Sequence, residues 1–335
     1  MRISYQDMVS EFTRVLQKYG FSEQDAELAA KIFADNSLCG IYSHGLNRFP
    51  IFIEVLKKGN ISPEKKPVCI MQAGCMERWD GQRGFGPLGA QKAMDRACEL
   101  AEEYGIGLVA VGNINHWMRG GTYGWQAAER GYIGICWSNT FPNMPAWGAL
   151  DRRIGNNPLV ISIPRKSGDH VLLDVAMTQY SYGKVEQTRL KGEMLPYHGG
   201  FDGSGMLTAD PAAIEATGRF LPIGLWKGSG LSIVLDLMSV VLSSGNSVKD
   251  IGGFGEEIGL TQIMIAIDPK RLNAAENEDM ERRITEILDN VNASEPAETG
   301  NDVTWPGQRM IRTRQENLEK GIPVIEEKWN TVLEL

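Results

Sequence analysis

The segment from Tyr42 to Pro50 places a histidine, a glycine and an arginine within a few residues of one another. His44 can hold and release a proton near neutral pH, because an unperturbed imidazole titrates in that range. Arg48 carries a permanent planar charge that suits a carboxylate. Such a pair could bind an anionic small molecule and hand it a proton, as reduction of a 2-oxo acid requires. The alternative is a structural histidine beside a surface arginine, and these residues alone leave both open.

The residues around His44 predict a loop between two helices. Gly45 and Pro50 oppose a helix through the segment, and Pro50 fits the first turn of the helix that follows. Ser4 and Ser22 each precede an acidic residue by three positions and an apolar run of helical spacing, so each predicts a helix start. We therefore expect a helical N-terminal layer that holds the His44 loop.

Composition excludes several classes of function. The chain has 335 residues, of which 42% are hydrophobic and 23% are charged, as in a globular protein. Its net charge of -8 excludes nucleic acid as a binding partner. The N-terminus lacks the apolar segment of a signal peptide. The apolar run Leu231 to Leu242 is too short to cross a bilayer, so it predicts a buried helix and no membrane partner. Five cysteines without CxxC spacing suit reduced thiols in the cytoplasm, and four separated histidines predict no metal site.

The stretch Gly84 to Gly89 matches the GxGxxG pattern of dinucleotide-binding loops. That motif needs a buried strand directly before it, whereas Asp80 to Arg83 are polar, and Pro87 removes a backbone donor. We interpret it as a turn that opens a helix, and we expect any nicotinamide cofactor to bind outside a Rossmann frame.

Two other loops are candidates for ligand binding. The loop Trp226 to Gly230 places Lys227 before an apolar helix, where an ammonium and helix N-terminal amides can bind phosphate; a plain turn is the alternative. The loop Asn113 to Trp125 follows a strand and combines amides, His116, Arg119 and aromatic rings. This mixture suits a polyhydroxylated substrate, although a core turn would use similar residues.

Strand-like and helix-like segments alternate after residue 67, which predicts an α/β body. Alternation alone would favour a parallel sheet. The chain also resembles the malate/L-lactate/sulfolactate dehydrogenase family of non-Rossmann, NAD(P)-dependent 2-oxo acid reductases. The matching stretches are Tyr42-Ser43-His44-Gly45, Asn115-His116, Ile154-Gly155-Asn156-Asn157-Pro158-Leu159, Trp226-Lys227-Gly228-Ser229-Gly230 and Pro306-Gly307.

The resemblance implies a cofactor- and substrate-binding α/β domain on a mostly antiparallel sheet over residues 76–292. It implies a helical domain from residues 1–75 completed by 293–335, and a homodimer. His44 would be the proton donor, acting as an imidazolium. The implied substrate-binding residues are Arg48, His116, Trp117 and Arg119. The implied cofactor-binding residues are His170, Val171, Leu172, Leu173, Asp174, Val175, Ala176, Trp226, Lys227, Gly307, Gln308 and Arg309.

The implied reaction is reduction of 2,3-diketo-L-gulonate to 3-dehydro-L-gulonate at the C2 ketone by NADH, with NADPH possible. Asn156 and the pair Gln308-Arg309 depart from the family pattern on the cofactor side, so the choice between NADH and NADPH stays open. One alternative is another reductase of the family, acting on malate, lactate, ureidoglycolate or a cyclic imino acid. A second is a sugar-acid binding protein without turnover, against which the cofactor-side residues argue.

Overall fold

Side-chain caps begin the first helices at the predicted positions. The computed structural model describes residues 1–272, 278–298 and 302–335. The hydroxyl groups of Ser4 and Ser22 accept hydrogen bonds from the amides of Asp7 and Asp25, which satisfies helix N-terminal donors. The helices, in chain order, are α1 (Tyr5–Lys18), α2 (Glu23–Leu38), α3 (Phe49–Lys57), α4 (Gly86–Tyr104), α5 (Gly121–Glu129), α6 (Tyr182–Leu190), α7 (Pro211–Thr217), α8 (Trp226–Ser243), α9 (Val248–Gly253), α10 (Glu278–Asn292), α11 (Gln308–Lys320) and α12 (Glu326–Glu334).

The strands form one large sheet and three small ones. They are β1 (Arg2–Ile3), β2 (Val68–Ala73), β3 (Met76–Asp80), β4 (Ile106–Ile114), β5 (Ile133–Ser138), β6 (Met144–Pro145), β7 (Arg152–Ile154), β8 (Leu159–Ile163), β9 (Val171–Val175), β10 (Gly200–Phe201), β11 (Leu207–Thr208), β12 (Leu260–Ile267) and β13 (Ile322–Pro323). The large sheet has seven strands in the order β2-β3-β4-β12-β5-β8-β9, and only β3 and β4 pair in parallel. The expected α/β fold on a mostly antiparallel sheet is confirmed.

Strand β12 organises the two faces of this sheet. Met264 and Ala266 point to the face that α4 and α5 cover, whereas Ile263 joins a second apolar cluster with Leu235 of α8. This alternation is the period-two pattern of a strand buried on both faces. The sheet is therefore the middle layer between α4 and α5 on one side and α8 on the other.

The helical layer has a separate core of aromatic rings. Phe12, Phe33 and Phe49 from α1, α2 and α3 are fully buried, and the Phe12 and Phe49 rings stack at 4.1 Å. Trp329 and Val332 of α12 belong to the same cluster, so the C-terminal segment completes the core that the first helices begin. Strand β13 also pairs with β1, which joins the two ends of the chain.

The helix predicted at Leu231 to Leu242 is present within α8, but the prediction that it is buried is wrong. Helix α8 packs against the sheet through a small polar stripe that includes Ser232 and Ser239, and Trp137 donates its indole N–H to the Ser239 hydroxyl at 3.1 Å. The apolar side faces outward: Leu237 is 59% and Val241 78% exposed. Within the described parts of the chain, α8 is the one helix whose length and composition would permit a membrane span, and core helices can pass that test.

The GxGxxG stretch serves packing between the body and the site loop. Gly86 lies at the start of α4, where an added Cβ would stand 2.1 Å from the Asn115 carbonyl oxygen and 2.4 Å from that of His116. The backbone carbonyls of Asn115 and His116 leave no room for a side chain or a ligand beside this glycine. This agrees with our interpretation of the motif as a helix-opening turn.

Candidate active site

His44 ends a short 3-10 turn, Tyr42–His44, and Pro50 lies in the first turn of α3, as predicted. The amide side chain of Asn36, which is fully buried in α2, donates to the His44 carbonyl oxygen at 3.0 Å. The other end of the same side chain accepts a hydrogen bond from the Thr122 hydroxyl at 3.0 Å. One buried amide therefore ties the His44 turn to both the helical layer and α5.

Gly45 is required by close backbone packing. A Cβ at this position would lie 2.1 Å from Ser37 Oγ and 2.9 Å from the Phe33 carbonyl oxygen. The same Ser37 hydroxyl accepts a hydrogen bond from the Leu46 amide at 2.8 Å. The glycine lets the turn lie directly on α2, which fixes where His44 points.

His44 and His116 lie side by side, with ring centroids 5.9 Å apart and planes 12° from parallel. The Ser43 hydroxyl lies 3.1 Å from His44 Nδ1, and the Met118 amide donates to His116 Nδ1 at 3.0 Å. A neutral His116 therefore carries its proton on Nε2. His44 Nε2 has no hydrogen-bond partner among the residues that the structure describes, so it is free to meet a ligand.

Burial lowers the pKa of both imidazoles to about 3. The charges of Arg48 and Arg119, together with His116, add to this effect on the pKa of His44, and Arg48 adds to it for His116. Both rings are therefore neutral at pH 7 in the free protein. The role of His44 as an imidazolium in the reaction stays a prediction, and it requires a nearby negative charge such as a bound anion would bring.

His116 lines a cavity of about 210 Å³, whereas His44 lies outside its lining, next to His116. Arg48 stands in its wall, where Arg48 Nη2 lies 3.6 Å from Glu257 Oε2. The pKa of the Glu257 carboxyl is raised by burial, while Arg48 and the Phe141 amide act in the opposite direction. The lining residues are Arg48, Phe52, Val55, Lys58, Asn60, Ile61, Asn115, His116, Met118, Glu256, Glu257 and Ile258.

Two residues predicted to bind substrate lie outside the lining of this cavity. Trp117 is 1% exposed and packs in the core beside Tyr123, whose hydroxyl donates to the Trp117 carbonyl at 2.6 Å. The indole belongs to the apolar cluster between α5 and the sheet. Arg119 is also buried, and its Nε lies 3.4 Å from Asp174 Oδ2. Of the predicted set, Arg48 and His116 line the cavity.

The three segments predicted to bind the cofactor meet along β9, the edge strand of the sheet. The Leu172 amide donates to the Pro306 carbonyl at 3.0 Å, directly before Gly307. Past the end of β9, the Ile223 amide donates to the Met177 carbonyl at 2.8 Å, three residues before Trp226. Val171, Leu173, Val175 and Ala176 are partly exposed along this edge. The structure therefore brings these segments into one neighbourhood.

Individual side chains in this neighbourhood differ in accessibility. His170 is 5% exposed, and its Nδ1 accepts a hydrogen bond from the Arg165 amide, so the ring faces inward. Gly307 has φ 101°, a value that favours glycine, and begins α11. Gln308 Oε1 is buried without a hydrogen-bond partner among the described residues, and Arg309 is exposed.

The N-terminus of α8 suits an anion. Trp226 is 64% exposed, Lys227 is exposed in the first turn, and no side chain caps the helix. Uncapped amides and a nearby ammonium together favour a phosphate group. The role of Trp226 and Lys227 in binding a cofactor stays a prediction.

Asp174 connects the two halves of the site. Its Oδ2 atom accepts a hydrogen bond from the Gly121 amide at 2.9 Å and faces Arg119 Nε. The carboxylate thus joins β9 to the loop that carries His116. Among the described residues, no group of three or more His, Cys, Asp or Glu side chains could hold a metal ion.

Sequence reasoning missed Asn36 and Glu257. Asn36 lies inside a helix that reads as an ordinary alanine-rich segment, and its polarity on the buried face was the available signal. Glu257 follows a second carboxylate in a glycine-rich loop after α9, where a charged surface turn is the ordinary interpretation. Its role depends on Arg48, which is more than 200 positions away in the chain.

Comparison with known proteins places the whole chain in a well-defined group. Residues 3–333 match a family described as malate/L-lactate dehydrogenase. The chain is 46% identical over 330 residues, 98% of each protein, to 2,3-diketo-L-gulonate reductase of Klebsiella pneumoniae (strain 342), and also 46% identical over the same share to that of Citrobacter koseri. Its fold is similar to that of sulfolactate dehydrogenase from Methanocaldococcus jannaschii, with a TM-score of 0.86, 30% identity, and coverage of 100% of this chain and 96% of the other. The corresponding values for malate dehydrogenase from Entamoeba histolytica are 0.93, 25%, 100% and 96%.

Proposed function

The chain belongs to the malate/L-lactate dehydrogenase family, and on that premise we propose that it reduces the C2 ketone of 2,3-diketo-L-gulonate to give 3-dehydro-L-gulonate. Family membership implies an oxidoreductase that uses a nicotinamide cofactor, and we propose NADH. The observation that carries the proposal is the unpartnered His44 Nε2 next to His116, which lines a cavity together with Arg48.

Arg48 binds the substrate carboxylate in this proposal, because it is the guanidinium in the cavity wall. The arriving negative charge raises the pKa of His44, so the ring takes up a proton from solvent. His44 then gives that proton from Nε2 to the oxygen of the C2 carbonyl. His116, with its proton on Nε2, donates a hydrogen bond to the same substrate and limits its orientation.

The cofactor supplies the hydride when it is bound. Strand β9 and the start of α11 would hold it at the sheet edge, with Lys227 and the α8 amides on its phosphates. Asp174 would align this region with the substrate loop through Arg119. The fit is supported by the meeting of these segments and by the uncapped end of α8.

We also propose a homodimer whose contact includes the exposed apolar side of α8. Leu237, Met238 and Val241 lie on this side, and burying one such side chain contributes about 1.5–3 kcal/mol.

Residues 1–75 with 293–335 would form the helical domain, and 76–292 the cofactor- and substrate-binding domain; residues 273–277 and 299–301 lie outside the described structure. Free thiols support a cytoplasmic location.

The test is oxidation of NADH and of NADPH followed at 340 nm with 2,3-diketo-L-gulonate, pyruvate, oxaloacetate and a cyclic imino acid in parallel. We expect turnover with diketogulonate and NADH. The His44→Gln variant should lose at least about 100-fold in turnover, the scale of general acid catalysis, while it still quenches NADH fluorescence. Turnover only with another oxo acid would contradict the proposal that diketogulonate is the substrate. NADH binding without any turnover would favour a binding protein.

A further inference from the structure

The cavity that His116 lines also contains two cations and two carboxylates in its wall. Arg48 Nη2 lies 3.6 Å from Glu257 Oε2, and Lys58 Nζ lies 3.4 Å from Glu256 Oε1. Each of these cations has its own carboxylate partner. The wall of the cavity is therefore close to neutral, although it must receive an anionic substrate.

Glu257 is the inner of the two carboxylates. Its side chain is 27% exposed, against 41% for Glu256, and its Oε1 accepts a hydrogen bond from the Phe141 amide at 3.4 Å. Solvent and salt screen a partly buried charge less than one at the rim. The Glu257 charge is therefore the one that a ligand in the cavity meets.

Arg119, a third cation near His44, is not available to bind a second anionic group of a substrate. Arg119 affects the pKa of His44, but its guanidinium is buried and faces the Asp174 carboxylate. Every arginine or lysine that lines the cavity within the described structure, Arg48 and Lys58, is already paired. A substrate with one carboxylate can engage Arg48, whereas a second carboxylate would enter next to Glu257.

We propose that Glu257 determines specificity by restricting the site to 2-oxo acids that carry a single negative charge. Like charges held in one cavity repel, which lowers the affinity for dianions. Hydroxyl groups on the rest of the substrate can instead donate hydrogen bonds to this carboxylate. The inference rests on the proposed 2-oxo acid reduction and names the class of substrate that the same site accepts.

The test compares oxaloacetate with 4-methyl-2-oxopentanoate, a monoanion of nearly the same shape. We expect the wild type to favour the monoanion in kcat/KM by at least about tenfold, and Glu257→Gln to reduce that preference by about tenfold. Glu54→Gln is the matched control, since it removes one carboxylate from the exposed side of α3, where Glu54 pairs with Lys57. The control should keep the wild-type preference.

An unchanged preference in an active Glu257→Gln enzyme would overturn the inference. If that variant fails to fold, titration calorimetry of the wild type with the reduced cofactor decides the question without turnover, because a reduced cofactor cannot accept a hydride from a 2-hydroxy acid. Malate should then bind at least about tenfold more weakly than 2-hydroxy-4-methylpentanoate, and equal affinities would overturn the inference. A wild type that is silent with diketogulonate but shows the charge preference would retire only the proposed substrate. The reverse result would retire only the role of Glu257.

Discussion

Raising the pH from 5 to 8 should depress the reductive kcat/KM much more steeply than kcat. The kcat/KM value reports the protonation of the free enzyme, in which the pKa of His44 is about 3. Only a small protonated fraction can then act as the donor, so kcat/KM should fall about tenfold per pH unit over this range.

The bound substrate changes this relation. A unit negative charge at about 5 Å stabilises an imidazolium by about 3 kcal/mol at an effective dielectric constant of about 20, or roughly 2 pKa units. We therefore expect kcat to stay level to a higher pH than kcat/KM does. Substrate binding should also take up protons, which can be measured with a pH indicator in weak buffer.

The assay is initial-rate NADH oxidation at constant ionic strength, with circular dichroism at each pH. The folding check matters because the folded pKa of His44 lies below the unfolded value near 6.5. Protonation therefore favours the unfolded chain, and this group alone should remove about 2 kcal/mol of stability between pH 6.5 and 5. A kcat/KM plateau that extends from pH 5 to above 6 would refute the reasoning, since it would mean an unperturbed histidine.

Three further variants test other parts of the structure. Gly45→Ala should lower the free energy of unfolding by about 1–3 kcal/mol in urea titrations and reduce turnover, because the added Cβ would overlap Ser37. Gly253→Ala is the control, since open space surrounds Gly253, and equal effects of the two substitutions would contradict the packing argument. Lys227→Met should raise the KM for NADH by about tenfold with little change in the substrate KM, unlike Lys249→Met, and an unchanged cofactor KM would remove the phosphate role. Val241→Asp should shift the protein from dimer to monomer in sedimentation experiments, and an intact dimer would place the interface elsewhere.

Local signals in the sequence were sufficient to predict individual helices and turns, but not to predict which elements pack against each other. Serine caps and apolar spacing predicted α1 and α2, and the glycine and proline around His44 predicted its turn, because these effects act over a few residues. The position of β12 between β4 and β5 joins residues about 150 positions apart, and no local pattern encodes that pairing. The antiparallel arrangement came from the family resemblance.

Helix α8 shows why hydrophobicity alone does not predict which side of a helix is buried. Its apolar residues suggested burial, but the side that packs on the sheet carries Ser239 beside Leu235, and small side chains let the helix approach closely. The same ambiguity applies to Trp117, because an aromatic side chain suits both a sugar pocket and a core, and this one lies in the core. Such choices depend on which neighbours surround a side chain, and those neighbours come from distant parts of the chain.

The pairing of β1 with β13 makes the N-terminal core depend on residues about 320 positions later in the chain. Ile322, Trp329 and Val332 fill the core around α1, α2 and α3, so these early helices leave the ribosome without the residues that cover them. Domains generally fold as units when their contacts are available, and exposed apolar surface invites association until then. The His44 turn rests on α2, so its position depends on a core that is complete only when α12 is in place. We therefore expect chains that stop before α12 to carry His44 without the complete core that supports its turn.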